Sequence, residues 1–181
     1  MVHEVKFRVD QLDHFPDDGK RREVIRGRLY VSPAPSIHHQ LIVKRLIVQT
    51  ELYLQQNPLG EVLPGVGVIF SSFDGVIPDV VFVSKERLAF LEERRIYAAP
   101  DWVIEVLSPG NSAYDLETER VLYQQQGVKL YWIVDPERLE VLVYEGRSEE
   151  PTIHRCNAKL EVSLLLGLFF DVGELSKKSP R

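Results

Sequence analysis

Two apolar segments separated by a helical segment limit the fold of this chain more than any other feature. The first, DWVIEVLSP, covers residues 101–109, and the second, KLYWIVDP, covers residues 129–136. Between them, Asn111 or Ser112 can cap a helix over Tyr114–Gln126. This strand–helix–strand order predicts a right-handed crossover that joins two parallel strands.

The segments around this unit predict further strands and a long helix. Alternation in EVIRG-RLYVSP around Gly27 predicts a hairpin, and IHHQLIVKRLIVQTELYLQQ predicts a helix that Ser36 caps and Asn57 ends. EVLPGVGVIF and PDVVFV are typical of strands, KERLAFLEERR of a helix, and LEVLVYEG of a strand that pairs with KLYWIVDP. The predicted fold class is α/β, with a mixed central β-sheet flanked by helices.

Length and composition place the chain among ordinary soluble domains. Its 181 residues, 44% of them hydrophobic, are expected to form one domain over 1–181. The first ~20 residues are expected to be peripheral and the tail from Ser176 frayed. Because no apolar run approaches the ~20 residues of a membrane helix, and the N-terminus lacks a signal-peptide core, we expect no membrane association and a cytoplasmic location. The single cysteine, Cys156, excludes an internal disulfide and a zinc site built from several cysteines.

The charge balance argues against a surface that coats nucleic acid. The net charge is −5, and no basic segment with interleaved aromatic residues stands out as a reader of bases. The short basic clusters are expected to be solvated faces of helices or loops; they are Lys20-Arg21-Arg22, Lys44-Arg45 and Arg94-Arg95.

Two carboxylates occur where strands are predicted. Asp79 opens PDVVFV, and Glu105 interrupts the apolar run of the next predicted strand. If these strands are neighbours, the two side chains converge, and a cation between them would offset their repulsion; Mg²⁺ and Mn²⁺ suit such oxygen ligands. Each residue also has a structural interpretation: Asp79 as a turn residue at a strand start, and Glu105 as an edge residue or the partner of an internal arginine.

The ordered set EVIRG…SP…HHQ…PDVVFV…DWVIEVLSPGNSAYDLETERVLYQQQGVKLYWIVDP resembles the Uma-two family of restriction endonucleases, itself similar to the PD-(D/E)xK nuclease superfamily. The resemblance covers roughly Glu23 to Glu145. It implies a restriction-endonuclease-like core and Mg²⁺-dependent hydrolysis of phosphodiester bonds in DNA. It also implies a homodimer, because nucleases of this fold often pair two sites to cut two strands.

The resemblance assigns roles residue by residue. Asp79 matches the aspartate of the PD motif and Glu105 the acid of the (D/E)xK half, so both would be metal ligands, with the carbonyl of Val106 as a third. Glu23 matches the glutamate of the early E-x-I-x-G element and would be a further ligand or orient water. His39 matches the family's His-Gln pair; it could contact a phosphate or the active-site water, or simply face solvent.

The chain departs from the family at the catalytic lysine. Two residues after Glu105, where the motif has lysine, stands Leu107; relatives move this lysine to the next helix, where this chain has Glu119. Arg120 lies on the same helical face and is our substitute cation, although a surface pair with Glu117 is an equal alternative. Arginine can stabilise phosphate charge but cannot act as a base.

Two further functions therefore stay open. One is a catalytically impaired relative of the same fold that binds nucleic acid or protein. The other, supported less, is a metal-dependent hydrolase of some other phosphoester.

Overall fold

The structure is a computed structural model that describes residues 6–108 and 113–178. Its helices are α1 (Ile37–Gln56), α2 (Ala113–Gln126) and α3 (Val172–Leu175), and 3-10 helices form at Val9–His14 and Lys85–Phe90. Its strands are β1 (Arg21–Ile25), β2 (Arg28–Ser32), β3 (Gly60–Pro64), β4 (Gly67–Ser71), β5 (Asp74–Val76), β6 (Val80–Ser84), β7 (Arg95–Ile96), β8 (Trp102–Val106), β9 (Leu130–Asp135), β10 (Glu140–Glu145), β11 (Thr152–Arg155), β12 (Lys159–Glu161) and β13 (Phe169–Asp171).

The larger sheet has the order β11-β10-β9-β8-β6-β3 and is mixed. Strands β8 and β9 run parallel, with Glu105 opposite Ile133, and their other neighbours in the sheet run antiparallel. Helix α2 connects β8 to β9, so the predicted strand–helix–strand unit with parallel strands is confirmed. The predicted helix cap at Asn111 or Ser112 lies outside the described residues.

A second sheet, with the order β2-β1-β5-β4-β7, lies beside α2. Its first two strands form the predicted hairpin, and Arg26 and Gly27 make the turn with positive φ values of 53° and 77°. A positive φ costs glycine little, which explains Gly27 at this position. This sheet carries β1 to the side of the larger sheet on which α2 packs.

The larger sheet is covered on both faces, so its central strands are apolar on both sides. One face packs on α1 and the C-terminal strands through Trp102, Trp132 and their neighbours. The rings of Trp102 and Trp132 meet edge to face with centroids 4.7 Å apart. The other face packs on α2 and the second sheet through Val103, Tyr131 and Tyr123. The α/β class with a mixed sheet flanked by helices is therefore confirmed.

Helix α1 has the bounds that its sequence predicts. The Ser36 hydroxyl accepts a hydrogen bond from the backbone N–H of His39 at 3.2 Å, which satisfies one free donor of the first turn. The helix ends at Asn57, whose backbone N–H reaches the Tyr53 carbonyl. Within the described residues, no helix is long and apolar enough to span a membrane.

Two predicted elements are wrong. The segment 85–95 is not one helix, because after Lys85–Phe90 the chain turns and Arg95–Ile96 pairs with β4, so sheet pairing overrides helix propensity. The segment EVLPGVGVIF is not one strand but β3 and β4, which lie in different sheets. The break falls at Gly65, which has a φ of 55° and donates its N–H to the carbonyl of Asp79.

Candidate active site

Strands β6 and β8 bring Asp79 and Glu105 to the same place. Val80 pairs with Ile104 in antiparallel register. The residue before Val80, Asp79, therefore lies opposite the residue after Ile104, Glu105. Because side chains alternate across a strand, both carboxylates point to the face on which α2 packs. Both are buried, with 3% and 8% of their surface exposed. The convergence expected from adjacent strands is therefore present.

Asp79 is surrounded by positive and hydrogen-bonding groups. Its Oδ1 accepts a hydrogen bond from Nη2 of Arg21 at 2.7 Å, and its Oδ2 accepts one from the N–H of Val106 at 2.8 Å. Nε2 of His39 lies 3.2 Å from Oδ1, outside good hydrogen-bond geometry. Burial would raise the pKa of Asp79, but His39, Arg21 and the Val106 N–H together hold that pKa below its usual value. Asp79 is therefore ionised at neutral pH.

Glu105 has the opposite electrostatic environment. Its Oε1 accepts a hydrogen bond from the Tyr123 hydroxyl at 2.9 Å. Burial raises the pKa of Glu105 well above its usual value, and the negative charges of Asp79 and Glu119 act in the same direction. Two neighbouring carboxyls whose pKa values are pushed apart are typical of functional sites. A further positive charge here would favour ionised Glu105.

Glu23 enters the same region from β1. It is 6% exposed, and its Oε1 accepts a hydrogen bond from the N–H of Ile77 at 2.6 Å. Burial is the main cause of its raised pKa. Arg21 stands two residues earlier on the same strand, and the period of two places both side chains on one face. The second sheet therefore supplies one carboxylate and one cation.

His39 reaches the site from the first turn of α1. It is 6% exposed, so the alternative of a histidine that simply faces solvent does not apply. Its Nδ1 lies 3.0 Å from the hydroxyl of Ser108, which follows β8. The ring thus stands between Ser108 and Asp79 and links α1 to the two acidic strands.

Arg120 lies elsewhere. Its guanidinium pairs with the Glu117 carboxylate, donates to Oε1 of Gln124 at 2.8 Å and lies 5.5 Å from the ring centre of Tyr144. This is the surface pairing with Glu117 that the sequence offered as the alternative. The structure does not bring Arg120 together with Asp79.

A cavity of about 400 Å³ opens over the acidic residues. Its walls include Arg21, Glu23, His39, Asp79, Glu105 and Glu119, with the 33–36 segment at one side. Asp79 and Glu105 are the residues of this set that could hold a hard cation from neighbouring strands. In the part of the chain that the structure describes, no three His, Cys, Asp or Glu side chains gather around one metal position.

Arg21 is the site residue that the sequence analysis missed. It belongs to the basic cluster Lys20-Arg21-Arg22, which was expected to be a solvated face. A usable signal exists, because Arg21 precedes Glu23 by two residues on a predicted strand, and such residues share a face. The hydrogen bond from Tyr123 to Glu105 had no signal in the sequence.

The chain is similar to known proteins in both sequence family and fold. The model of the Uma2 family, described as "Putative restriction endonuclease", matches residues 9–173. A solved structure described as "a putative nuclease belonging to DUF820 from Anabaena variabilis ATCC 29413" superposes with a TM-score of 0.82. It is 22% identical, and the match covers 94% of this chain and 97% of that chain. No curated protein matches. The likeness confirms the fold of the restriction-endonuclease-like core.

Proposed function

We propose that this chain, which belongs to the Uma2 (Uma-two) family, is a metal-dependent endonuclease that hydrolyses phosphodiester bonds in DNA. The observation that carries the proposal is the placement of Asp79 against Glu105 at the ends of neighbouring strands, inside a cavity. The proposed metal is Mg²⁺ or Mn²⁺, because both ligands are carboxylates.

The donor chemistry of the site fits such an ion. The partners of Asp79 hold its pKa below the usual value, whereas burial and the charge of Asp79 raise the pKa of Glu105. A divalent cation between the two groups would allow both to be ionised, because its charge offsets their mutual repulsion. The third proposed ligand, the carbonyl of Val106, belongs to the residue whose N–H already binds Asp79. Three buried carboxyl groups, those of Asp79, Glu105 and Glu23, line this cavity.

The metal would supply an activated water and electrophilic stabilisation of the phosphate. Asp79 and Glu105 would hold the metal, and Glu23 would accept a hydrogen bond from the attacking water. In the reaction, the water oxygen bonds to phosphorus, the bond to the leaving sugar oxygen breaks, and a proton ends on that oxygen. His39 lies close enough to Asp79 to contact a phosphate oxygen in the cavity.

Cleavage of supercoiled plasmid with Mg²⁺ or Mn²⁺ tests the proposal. Asp79→Asn and Glu105→Gln are each expected to reduce cleavage to background, because each removes a charged ligand while keeping the size of the side chain. Glu117→Gln is the matched control, since Glu117 is a glutamate with a largely exposed side chain outside the cavity. Cleavage by Asp79→Asn or Glu105→Gln at the rate of the control would refute the proposal.

Two observations favour a second function. The ion pair between Arg21 and Asp79 already neutralises the aspartate without a metal, and neither position 107 nor position 119 carries the family's lysine. A catalytically impaired relative that binds nucleic acid or protein would have these features. DNA binding by the wild-type chain without cleavage, in Mg²⁺ and in Mn²⁺, would favour this function.

The substrate and the assembly belong to the same proposal. We also propose that the chain acts in the cytoplasm. Cutting both strands of a duplex implies two active sites. We therefore propose a homodimer. Light scattering coupled to size exclusion measures the mass directly, and a mass of one 20.8 kDa chain at micromolar concentration would contradict the dimer.

A further inference from the structure

We propose that Arg21 is an exchangeable cation of this site. Without a divalent metal it neutralises Asp79, and when a metal takes its place there, its guanidinium turns to the phosphate of the substrate. The inference rests on the proposed nuclease function and identifies the residue that replaces the missing lysine.

The contact between Arg21 and Asp79 is close but involves few atoms. One nitrogen, Nη2, reaches Oδ1 at 2.7 Å, and this is the one hydrogen bond from the guanidinium within the described ranges. A guanidinium has five N–H donors, so most of its binding capacity is left for another anion. The side chain is 26% exposed and lines the cavity, which gives it access to a ligand there.

Asp79 has one oxygen for which two cations would compete. Its Oδ2 is held by the N–H of Val106, so Arg21 binds the other oxygen, Oδ1, and Nε2 of His39 lies 3.2 Å from the same atom. A metal at Oδ1 would stand beside the guanidinium, and the two positive charges would repel each other. Metal binding at Asp79 therefore favours release of Arg21.

Arg21 stays charged through this exchange. A guanidinium is not deprotonated in proteins. A released guanidinium beside a cavity needs a new anion, and the planar fork of arginine matches the oxygens of a phosphate. In hydrolysis such a contact stabilises the negative charge that develops on the phosphate oxygens.

The first experiment measures Mn²⁺ binding by calorimetry, without DNA. Arg21→Gln removes the competing cation, so we expect Mn²⁺ to bind roughly tenfold more tightly or better, within the usual range of coupling between two ligands. Arg21→Lys keeps the charge and is expected to fall between Arg21→Gln and wild type. Arg22→Gln is the matched control, because Arg22 is the next residue on β1 but pairs with Asp18 outside the cavity.

The second experiment measures the cleavage rate at saturating Mn²⁺. Loss of one charge-stabilising donor typically costs about 100-fold or more in rate, and we expect this for Arg21→Gln. Arg21→Lys is expected to recover part of the rate, and Arg22→Gln to cleave like wild type. Circular dichroism of each variant checks the fold, and Arg21→Lys keeps both experiments decisive if Arg21→Gln does not fold.

The outcomes separate this inference from the nuclease proposal. If wild type binds Mn²⁺ and cleaves DNA, but Arg21→Gln matches Arg22→Gln in both experiments, the role of Arg21 is refuted and the nuclease stands. If Arg21→Gln binds Mn²⁺ and wild type does not, the competition is supported and the nuclease activity of the natural chain is refuted. If neither binds Mn²⁺, both are refuted. Tighter binding with an unchanged rate refutes the phosphate contact.

Discussion

The hydroxyl of Tyr123 donates a hydrogen bond to Oε1 of Glu105 at 2.9 Å, inside the layer between α2 and the larger sheet. Tyr123 is fully buried, and burial together with the charge of Glu105 raises the pKa of its hydroxyl well above the usual value. The hydroxyl therefore stays protonated and acts as the donor to Glu105. Tyr123 orients the carboxylate on which the proposed metal site depends.

Tyr123→Phe is expected to lower the free energy of unfolding by about 1–3 kcal/mol, because a buried carboxyl oxygen loses its partner. Mn²⁺ affinity is expected to fall as well, since the carboxylate loses its orientation. Urea denaturation and calorimetry measure the two effects. Tyr53→Phe is the control, because the Tyr53 hydroxyl donates to the carbonyl of Leu166 at an exposed position. Equal effects of the two substitutions would contradict a special role for Tyr123.

The buried Glu105 predicts that stability without metal depends on pH. The pKa of Glu105 is raised in the folded chain, so the folded state holds its proton more tightly than the unfolded state does. Its contribution to stability is therefore complete below about pH 4.5, the ordinary glutamate value, and is lost as the pH rises toward the folded pKa. Glu105→Gln cannot lose a proton there, so its stability relative to wild type should increase with pH.

Denaturation of both proteins in EDTA between pH 4.5 and 8 measures this difference. Added Mn²⁺ is expected to stabilise wild type at pH 8 and not Glu105→Gln, because the variant lacks the charge that the ion compensates. A difference in stability that stays constant over this pH range would contradict the raised pKa.

At the other end of β8, Asp101 is expected to give the opposite dependence of stability on pH. Its carboxylate accepts the N–H of Ser84 at 2.8 Å and pairs with Lys129 at 2.6 Å and Arg87 at 3.7 Å. Burial would raise the pKa of Asp101, but these partners hold it below its usual value. Its stabilisation is therefore present above about pH 3.8, the ordinary aspartate value, and is lost as the pH falls through the folded pKa.

Asp101→Asn is expected to cost about 1–3 kcal/mol at pH 7, because the Ser84 N–H and two cations lose a charged partner. The cost should shrink as the pH falls below 3.8. Denaturation at pH 7 and pH 3 measures both values, and Asp135→Asn is the control, since Asp135 ends β9 with a more exposed carboxylate. A cost that is the same at both pH values would contradict this account.

The strands explain which parts of the site the sequence could predict. Asp79 and Glu105 stand in strongly apolar runs that predict two strands, and the sequence analysis made their convergence depend on these strands being neighbours. The structure pairs the two strands in antiparallel register and so brings the side chains together. The contact of Arg21 with Asp79 spans 58 residues and joins two different sheets, so no local pattern indicated it. The strand period indicated only that Arg21 and Glu23 lie on the same face of β1.

Helix α2 shows the limit of prediction from helical spacing. Glu119 and Arg120 are neighbours, and a rotation of about 100° separates their side chains. The spacing placed both on one broad face, but in the structure Glu119 lines the cavity and Arg120 lies near Tyr144. The rotation of a helix about its axis is set by its packing against other elements. The spacing of residues within one helix therefore does not determine which of them face the site.

Glu119 permits a direct test of whether the missing lysine and Arg21 serve the same purpose. Glu119 lines the cavity, and its charge contributes to the raised pKa of Glu105. By the resemblance to the Uma-two family, it occupies the position to which relatives move the lysine. Glu119→Lys exchanges a negative for a positive charge beside Glu105. In the Arg21→Gln background it is expected to restore most of the lost rate at saturating Mn²⁺.

In the wild-type background the same substitution is expected to change the rate much less, because Arg21 already supplies the cation. This dependence on background is what a double-mutant cycle measures for two groups that fulfil one role. Glu117→Lys is the control, since it makes the same charge change on α2 outside the cavity. Equal rate gains from Glu119→Lys in both backgrounds would mean that the lysine position and Arg21 act independently. Arg21 would then stabilise Asp79 without replacing the lysine.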